Sequence, residues 1–225
     1  MKPLVECRLY TFVDTAYLGS RKPELVAQQL CDGGSDLIQL RAKTSTADQI
    51  RRMAEAILTI TSQAGVGLVI NDSPKIALQV GTPLCHLGQE DFFGAGYSNL
   101  SQLKADLKTQ NSKLEPLQIG LSTHAPEQAR RAIAVQPDYI AIGPVFATPT
   151  KPAAKPVTLD YVRWAASNVK IPWFAIGGIT LQNLDEVLAA GAQRICVVSA
   201  ILNAPDVVKT CRQFKQQLDS APQNR

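Results

Sequence analysis

Short apolar runs alternate along the chain with amphipathic stretches, and each run stops at polar residues or glycines. A continuous apolar run of this length is typical of a strand buried on both faces, as in a parallel sheet. The clearest example is Gly67-Leu68-Val69-Ile70, which stops at Asn71. The pattern predicts eight strands, at residues 9–13, 36–40, 67–70, 84–87, 117–121, 139–142, 174–176 and 195–198.

Signals for helix starts follow most of these runs. Pro23 opens an amphipathic stretch that ends at Gly33-Gly34, and Ser45-Thr46 supplies cap residues for a helix to about Ala64. Further helices are predicted at residues 74–80, 100–107, 126–134 and 205–218, from about residue 159, and between the last two strands. The polar residues from Asp219 onward are expected to form a frayed tail.

A strand followed by a helix, repeated eight times, predicts a single (β/α)8 TIM barrel of the α/β class. The 225 residues give about 28 for each unit, near the small end of the roughly 200 to 400 residues of this fold. We therefore expect one domain over residues 1–225.

The last two units carry the clearest functional signal. One apolar run stops at Gly177-Gly178, and the next stops at Ser199. Glycines after a strand let the backbone approach a ligand without a Cβ in the way, and Ser199 with the amides after it can donate to an anion. Barrels of this kind usually hold phosphate after strands seven and eight, beside a short extra helix. A tight turn without a ligand is the alternative, but suitable chemistry at both strand ends favours a phosphate site.

Charged side chains follow the strands of the first half. Arg41 and Lys43 come after strand two, Asp72 comes after strand three, and Asp91 comes after strand four. Asp72 alone could merely cap the next helix. Two carboxylates at one rim repel each other unless a cation or a proton relieves them, however. Oxygen ligands without His or Cys partners favour Mg2+, which takes one or two carboxylates and completes its shell with water and phosphate.

Two further positions follow strands five and six. His124 could act as a general base or could be a satisfied structural residue, and the sequence leaves both open. The longest connection after a strand contains Thr148-Pro149-Thr150-Lys151. Its prolines stiffen it, its hydroxyls and lysine can bind phosphate, and its length at the active face predicts a lid.

Composition restricts the partners. The formal net charge of +4 comes without a basic run, which favours anionic small molecules over nucleic acid. No apolar run approaches the roughly 18 residues of a membrane span, and no signal-peptide pattern is present, so we expect no membrane partner and a cytoplasmic location. Five cysteines without Cys-x-x-Cys spacing indicate reduced packing residues, and two distant histidines do not indicate a zinc site. The sequence is compatible with a homo-oligomer but does not determine the oligomeric state.

Several short strings together closely resemble the thiamine-phosphate synthase (thiamine-phosphate pyrophosphorylase) family. The strings that carry the resemblance are Gln39-Leu40-Arg41-Ala42-Lys43, Asn71-Asp72, His86-Leu87-Gly88-Gln89-Glu90-Asp91, Gly120-Leu121-Ser122-Thr123-His124, Gly143-Pro144-Val145-Phe146, Thr148-Pro149-Thr150-Lys151, Ala175-Ile176-Gly177-Gly178-Ile179 and Val198-Ser199-Ala200-Ile201. They occur in order at the spacing of barrel strands, over essentially the whole chain. A single such string would be a weak signal, but the set is specific.

The resemblance implies a transferase with two substrates. One is 4-amino-2-methyl-5-(diphosphooxymethyl)pyrimidine, here called the pyrimidine diphosphate, and the other is 4-methyl-5-(2-phosphooxyethyl)thiazole, here called the thiazole phosphate. The products are thiamine phosphate and diphosphate. The reaction of the family is regarded as dissociative: diphosphate leaves, and the thiazole nitrogen captures the resulting pyrimidine-methyl cation.

The resemblance also implies residue roles. The pyrimidine diphosphate is assigned to Gln39, Leu40, Arg41, Ala42, Lys43, Asn71, Ser122 and Lys151. The thiazole phosphate is assigned to Thr148, Pro149, Thr150, Gly178, Val198 and Ser199. Mg2+ is assigned to Asp72 and Asp91, and catalytic roles to Arg41, Lys43, Ser122 and Lys151.

The chain departs from the family pattern at two positions, and two other functions compete. Ala42 stands where the family usually has Glu, and Ser73 stands where it usually has Arg, which removes a cation. The related thiazole tautomerase would use His124 as a proton shuttle but has no use for the carboxylates Asp72 and Asp91. A barrel that only binds the thiazole phosphate would use the same residues as the enzyme.

Overall fold

The computed structural model describes residues 1–108, 117–150 and 153–221. Eight parallel strands pair in chain order and close into a barrel, with Leu9 of the first strand paired with Ile195 of the last. The strands are β1 (Leu9–Asp14), β2 (Leu37–Arg41), β3 (Gly67–Asn71), β4 (Leu84–Gly88), β5 (Gln118–Thr123), β6 (Tyr139–Ile142), β7 (Trp173–Ile176) and β8 (Ile195–Cys196). The predicted (β/α)8 fold is confirmed.

Helices surround the strands, and several of them begin at the residues that the sequence predicted as helix starts. Thr46 forms a capping box with Gln49, and Pro23, Pro74 and Pro126 each open a helix. The helices of the described residues are α1 (Thr15–Leu18), α2 (Pro23–Asp32), α3 (Ala47–Gln63), α4 (Pro74–Val80), α5 (Gln89–Gly94), α6 (Leu100–Lys108), α7 (Pro126–Ala134), α8 (Thr158–Asn168), α9 (Leu184–Ala189), α10 (Ser199–Leu202) and α11 (Val207–Ser220). None of these helices is long and apolar enough to cross a membrane.

The structure differs from the sequence-based prediction in four elements. Helices α1 and α5 were not predicted, because stretches of four and six residues are too short to show an amphipathic period. Strand β8 stops at Cys196, since the backbone at Val198 turns directly into α10. Helix α11 continues through Asp219 and Ser220, where a frayed tail was expected, and residues 222–225 lie outside the described part.

Two apolar layers follow from the alternation of side chains along each strand. Inward-facing residues fill the barrel, among them Tyr10, Tyr139 and Phe174, while the outward-facing residues pack against the helices. Gly120 makes room for this interior, because a Cβ at that position would lie only 2.0 Å from a ring carbon of Tyr139. The five cysteines are free and four of them are buried, which confirms them as packing residues.

Asp36 stabilises the end of the barrel where the strands begin. Its carboxylate is 2% exposed and accepts hydrogen bonds from Lys2 (2.8 Å), Lys215 (3.0 Å) and the backbone amides of Arg8 (2.9 Å) and Leu9 (3.0 Å). Burial by itself would raise the pKa of this carboxyl, but the hydrogen bonds from Lys2 and the two amides outweigh it and lower the pKa. Folding therefore favours the ionised form of the Asp36 carboxyl.

Replacing Asp36 by asparagine should lower the free energy of unfolding at pH 7 by roughly 2 kcal/mol, since hydrogen bonds to a buried charge are lost. The folded pKa lies below the unfolded value of about 3.9, so the contribution of the carboxylate is fully present above that pH and lost as the pH falls through the folded pKa. Urea unfolding of both proteins at pH 7 and in acid measures the difference. A gap between them that stays constant with pH would contradict this account.

Candidate active site

One pocket lies at the mouth of the barrel, where the carboxyl ends of the strands meet. Ten of the predicted site positions line it: Gln39, Arg41, Asn71, Ser122, His124, Thr148, Thr150, Gly178, Val198 and Ser199. Residues that were not predicted line it as well, including Tyr10, Phe12, His86, Pro144, Ile176 and Ile179. The pocket therefore brings together candidates from both halves of the chain.

Other predicted positions lie outside the pocket lining. The side chains of Leu40 and Ala42 face the helices and pack in the outer apolar layer. Any contact of these two residues with a substrate would therefore be made by their main-chain groups. Lys43, Asp72 and Asp91 stand at the rim beside the pocket, and Pro149 lies in the loop after β6. Lys151 lies outside the described residues, so its role stays a prediction.

Arg41 is held by a buried carboxylate that the sequence did not single out. Its Nη1 donates to Oδ2 of Asp14 at 2.8 Å, and the two side chains are 17% and 1% exposed. Asp14 also accepts from the amide of Ala16 at 3.0 Å and so caps α1. The two residues are partners in the register of β1 and β2, which is the signal that could have predicted the pair.

A second ion pair lies at the end of β3. Lys43 Nζ and Asn71 Nδ2 both donate to Oδ2 of Asp72, the latter at 2.6 Å. Asp72 has a φ of +58°, a left-handed conformation that costs energy for a residue other than glycine and that is found preferentially at functional sites. Its backbone amide donates to the carbonyl of His86 at 2.8 Å, which fixes the rim between β3 and β4.

Asp91 stands in the first turn of α5, immediately after β4. Its carboxylate lies over Gly88, where a Cβ would approach Oδ2 to 2.6 Å. In the described residues, no three His, Cys, Asp or Glu side chains group closely enough to enclose a metal. Asp72 and Asp91, which follow adjacent strands, supply carboxylate oxygens of the kind that Mg2+ takes together with water and phosphate, and their assignment to Mg2+ stays a prediction.

The opposite side of the pocket is built by β7 and α10. Gly178 has a φ of +65°, and a Cβ there would lie 2.5 Å from the carbonyl oxygen of Ala147. The Gly178 carbonyl accepts from Asn183 Nδ2 at 2.9 Å, and Ser199, the first residue of α10, lines the same pocket. Glycine at 178 is therefore required by the close approach of the loop after β6, whatever it contributes to ligand binding.

The loop after β6 is attached to both sides of the pocket. Val145 and Phe146 donate backbone hydrogen bonds to the carbonyl of Ile176 at the end of β7 (2.8 Å) and to that of Gly177 just after it (3.0 Å). Farther along the loop, the hydroxyl of Thr150 lies 2.8 Å from the hydroxyl of Tyr17 on α1. Tyr17 was not identified from the sequence, because α1 itself was not predicted. Whether this loop opens as a lid stays a prediction.

His124 is engaged by the backbone. Its Nδ1 is hydrogen-bonded to the carbonyl of Gly143, and its amide donates to Oε1 of Gln128 at 2.7 Å. Because a carbonyl only accepts, Nδ1 carries a proton. These contacts hold the ring in place, and because they involve only Nδ1 and the backbone amide, the choice between a structural residue and a general base stays a prediction.

A chain of four hydrogen bonds crosses the barrel beneath the pocket. Gln39 Nε2 donates to the Tyr10 hydroxyl (2.6 Å), which lies 3.1 Å from the Tyr139 hydroxyl. Tyr139 lies 3.1 Å from Nδ1 of His86, and Nε2 of His86 lies 2.8 Å from Ser122 Oγ. Both ends of this chain, Gln39 and Ser122, line the pocket. The sequence alone did not connect these residues, because the strand pairing was needed to show which side chains meet inside the barrel.

Comparison with known proteins places the chain in a family. A profile of the family described as thiamine monophosphate synthase matches residues 9–201, from the start of β1 into α10. The chain belongs to this family. It is 42% identical over 187 residues to a thiamine-phosphate synthase of Thermus thermophilus, covering 83% of this chain and 84% of that protein. It is 36% identical over 213 residues to thiamine-phosphate synthase of Halalkalibacterium halodurans, covering 94% and 95%.

A solved structure of a protein with the same activity in its name is also similar to this chain. Thiamine phosphate pyrophosphorylase from Pyrococcus furiosus superposes with a TM-score of 0.82 at 26% identity, over 99% of this chain and 100% of that one. The resemblance predicted from the sequence motifs is confirmed. The roles of the individual site residues are not tested by these comparisons and stay predictions.

Proposed function

We propose that the protein is a thiamine-phosphate synthase, which joins the pyrimidine diphosphate to the thiazole phosphate and releases diphosphate. The observation that carries this proposal is the family match along the barrel, together with a pocket lined by motif residues from most of the strand ends. Fold alone would not suffice, because barrels of this kind host many activities.

The reaction needs no proton transfer between protein and substrate. The bond between the pyrimidine methylene carbon and the diphosphate oxygen breaks, and its electron pair leaves with the diphosphate. The lone pair of the thiazole nitrogen then forms the new carbon–nitrogen bond. A site for this reaction must stabilise the leaving group and align the second substrate. His124, which is hydrogen-bonded to the backbone, is not required as a base.

The cationic side of the pocket suits the leaving diphosphate. Arg41 lines the pocket with its guanidinium fixed by Asp14, and Lys43 stands at the rim beside Asp72. Asp72 and Asp91 would hold Mg2+, which when bound supplies positive charge that offsets the charge of the diphosphate. In that state Lys43, which pairs with Asp72 here, is free to donate to the diphosphate as well.

The other substrate fits the side formed by β7, α10 and the loop after β6. Thr148, Thr150, Gly178, Val198 and Ser199 line this side of the pocket and can supply hydroxyl and main-chain donors. These groups bind the thiazole phosphate away from the metal pair, so the thiazole nitrogen faces the pyrimidine. Separate binding regions prevent the two anionic substrates from competing for one set of donors.

The proposed activity is tested by mixing the purified protein with both substrates and Mg2+. Thiamine phosphate and diphosphate should appear in equal amounts, and neither should appear when one substrate is omitted. Binding of the thiazole phosphate without product formation would instead support the binding barrel. Isomerisation of a thiazole tautomer without use of the pyrimidine diphosphate would support the tautomerase.

Replacing Ser199 by alanine should raise KM for the thiazole phosphate about 10-fold or more, since a hydrogen bond to a charged group is lost. KM for the pyrimidine diphosphate should change little. This variant is a sharper test than Gly178→Val, whose Cβ would displace the main chain at Ala147. Ser167→Ala, on the exposed side of α8, is the matched control. Equal increases in both KM values would show that the two binding regions are wrongly separated.

A further inference from the structure

We propose that Tyr10, Tyr139 and His86 are positioning residues that make Gln39 a hydrogen-bond acceptor and Ser122 a donor toward the substrate. The inference rests on the proposed function and adds to it a determinant of substrate specificity. The site would select a pyrimidine that carries an amino group over one that carries an oxo group at the same position.

The direction of the chain follows from its donors. Gln39 donates an amide N–H to the Tyr10 oxygen, and the Tyr139 oxygen is the partner that the structure gives for the buried Tyr10 proton, so we assign Tyr10 as the donor to Tyr139. Because Tyr139 accepts from Tyr10 in this assignment, its own proton is directed to Nδ1 of His86, 3.1 Å away. A neutral imidazole that accepts at Nδ1 carries its proton on Nε2 and donates it to Ser122 Oγ.

Both ends of the chain are thereby polarised. Ser122 already accepts from His86, so its own proton is available to the pocket. Gln39 uses one of its two amide N–H groups on Tyr10, and its carbonyl oxygen is the acceptor that it can offer to the pocket. The two ends of the chain therefore present opposite polarity to the pocket.

Burial forces each group in this hydrogen-bond chain to keep a partner. Tyr10, Tyr139 and Gln39 are almost fully buried inside the barrel, and burial raises the pKa of both tyrosines well above the ordinary value. The two hydroxyls therefore remain protonated donors. An unsatisfied donor or acceptor in this place would carry the full desolvation cost, so a ligand that mismatches one end cannot be relieved by a local rearrangement.

The polarity matches the proposed substrate. The amino group at position 4 of the pyrimidine donates to Gln39, and a ring nitrogen accepts from Ser122. The 4-oxo analogue presents a carbonyl where the amino group was, and this carbonyl would face the Gln39 oxygen. A site built to pair with a polar group rejects an analogue that lacks that group far more strongly than an apolar pocket rejects a size change.

The decisive experiment compares kcat/KM for the amino substrate with that for the 4-oxo diphosphate analogue. Tyr139→Phe cuts the chain in the middle, so Gln39 and Ser122 can reorient independently. We expect the preference for the amino substrate to fall at least about 10-fold in this variant, as for the loss of one enforced hydrogen bond. Tyr161→Phe is the matched control, because it removes a buried hydroxyl bonded to Thr123 on the helix side of the barrel and should leave the preference unchanged.

Nitrogen NMR of the imidazoles provides a readout that does not depend on activity. The protein has two histidines, so the NMR signals that remain in a His124→Gln variant belong to His86. We expect the Nε2–H tautomer in the natural protein and a mixture in Tyr139→Phe. Tyr10→Phe, which separates Gln39 from the chain, replaces Tyr139→Phe if that variant does not fold.

The outcomes separate this inference from the proposed function. If the natural protein makes no thiamine phosphate, the proposed function fails, and the tautomer of His86 still tests the direction of the chain. If it makes thiamine phosphate but carries the proton on Nδ1 of His86, the direction is wrong. An unchanged preference in folded Tyr139→Phe or Tyr10→Phe protein would overturn the role in specificity.

Discussion

Replacing Asp91 by asparagine should lower the condensation rate by about 100-fold or more and leave the fold intact. The size follows from the loss of one preorganised electrostatic contact to the leaving group, which typically costs roughly 10²- to 10³-fold. Asp91 is exposed in the first turn of a short helix at the rim, so stability should change little. The rate is measured at several Mg2+ concentrations, because a weakened metal site should be partly restored by excess metal.

Replacing Asp72, the second rim carboxylate, tests whether the two aspartates act together as a metal site. Asp72→Asn should cause a comparable loss and should also release Lys43 from its ion pair. Glu127→Gln changes an exposed carboxylate in the first turn of α7 and should have no effect. Full activity in excess chelator, or in Asp91→Asn without added metal, would rule out the assignment of Mg2+ to these two residues.

Much of the barrel could be predicted because its signals are local. Each buried strand is a short apolar run, and a run that stops at Asn71 or Ser199 shows where the chain reaches the rim. Since all strands are parallel, every such stop lies at the same end of the barrel, which brings distant residues into one pocket. Arg41 was predicted from such a strand end, whereas Ser122 was assigned only through the resemblance to the family.

The interior of the site could not be predicted in the same way. Tyr10 and Tyr139 belong to apolar runs in which every residue is buried, so the sequence does not distinguish inward from outward positions. Leu40 and Ala42 show the converse: they belong to a motif, yet their side chains face the helices. Strand register resolves both cases, because it fixes which side chains alternate into the barrel.

Arg41→Lys should lower kcat/KM for the pyrimidine diphosphate roughly 100-fold although the charge is kept. A lysine ammonium can pair with the buried Asp14 carboxylate or with the diphosphate, but it lacks the planar fork that allows arginine to do both. KM for the thiazole phosphate should stay nearly constant. Arg51→Lys, in an exposed ion pair with Glu55 on α3, is the matched control.

A double-mutant cycle then decides how Asp14 acts. Two effects of Asp14→Asn oppose each other: removing the carboxylate leaves more positive charge beside the diphosphate, but it also frees the guanidinium to leave the pocket. The second effect should win, because breaking a largely buried pair leaves an uncompensated charge that costs several kcal/mol unless Arg41 moves toward water. Asp14→Asn alone should therefore lower kcat/KM about 10-fold or more. If Asp14 acts only by holding Arg41, the double variant should be no worse than Arg41→Lys alone, whereas additive losses would show that Asp14 contributes independently.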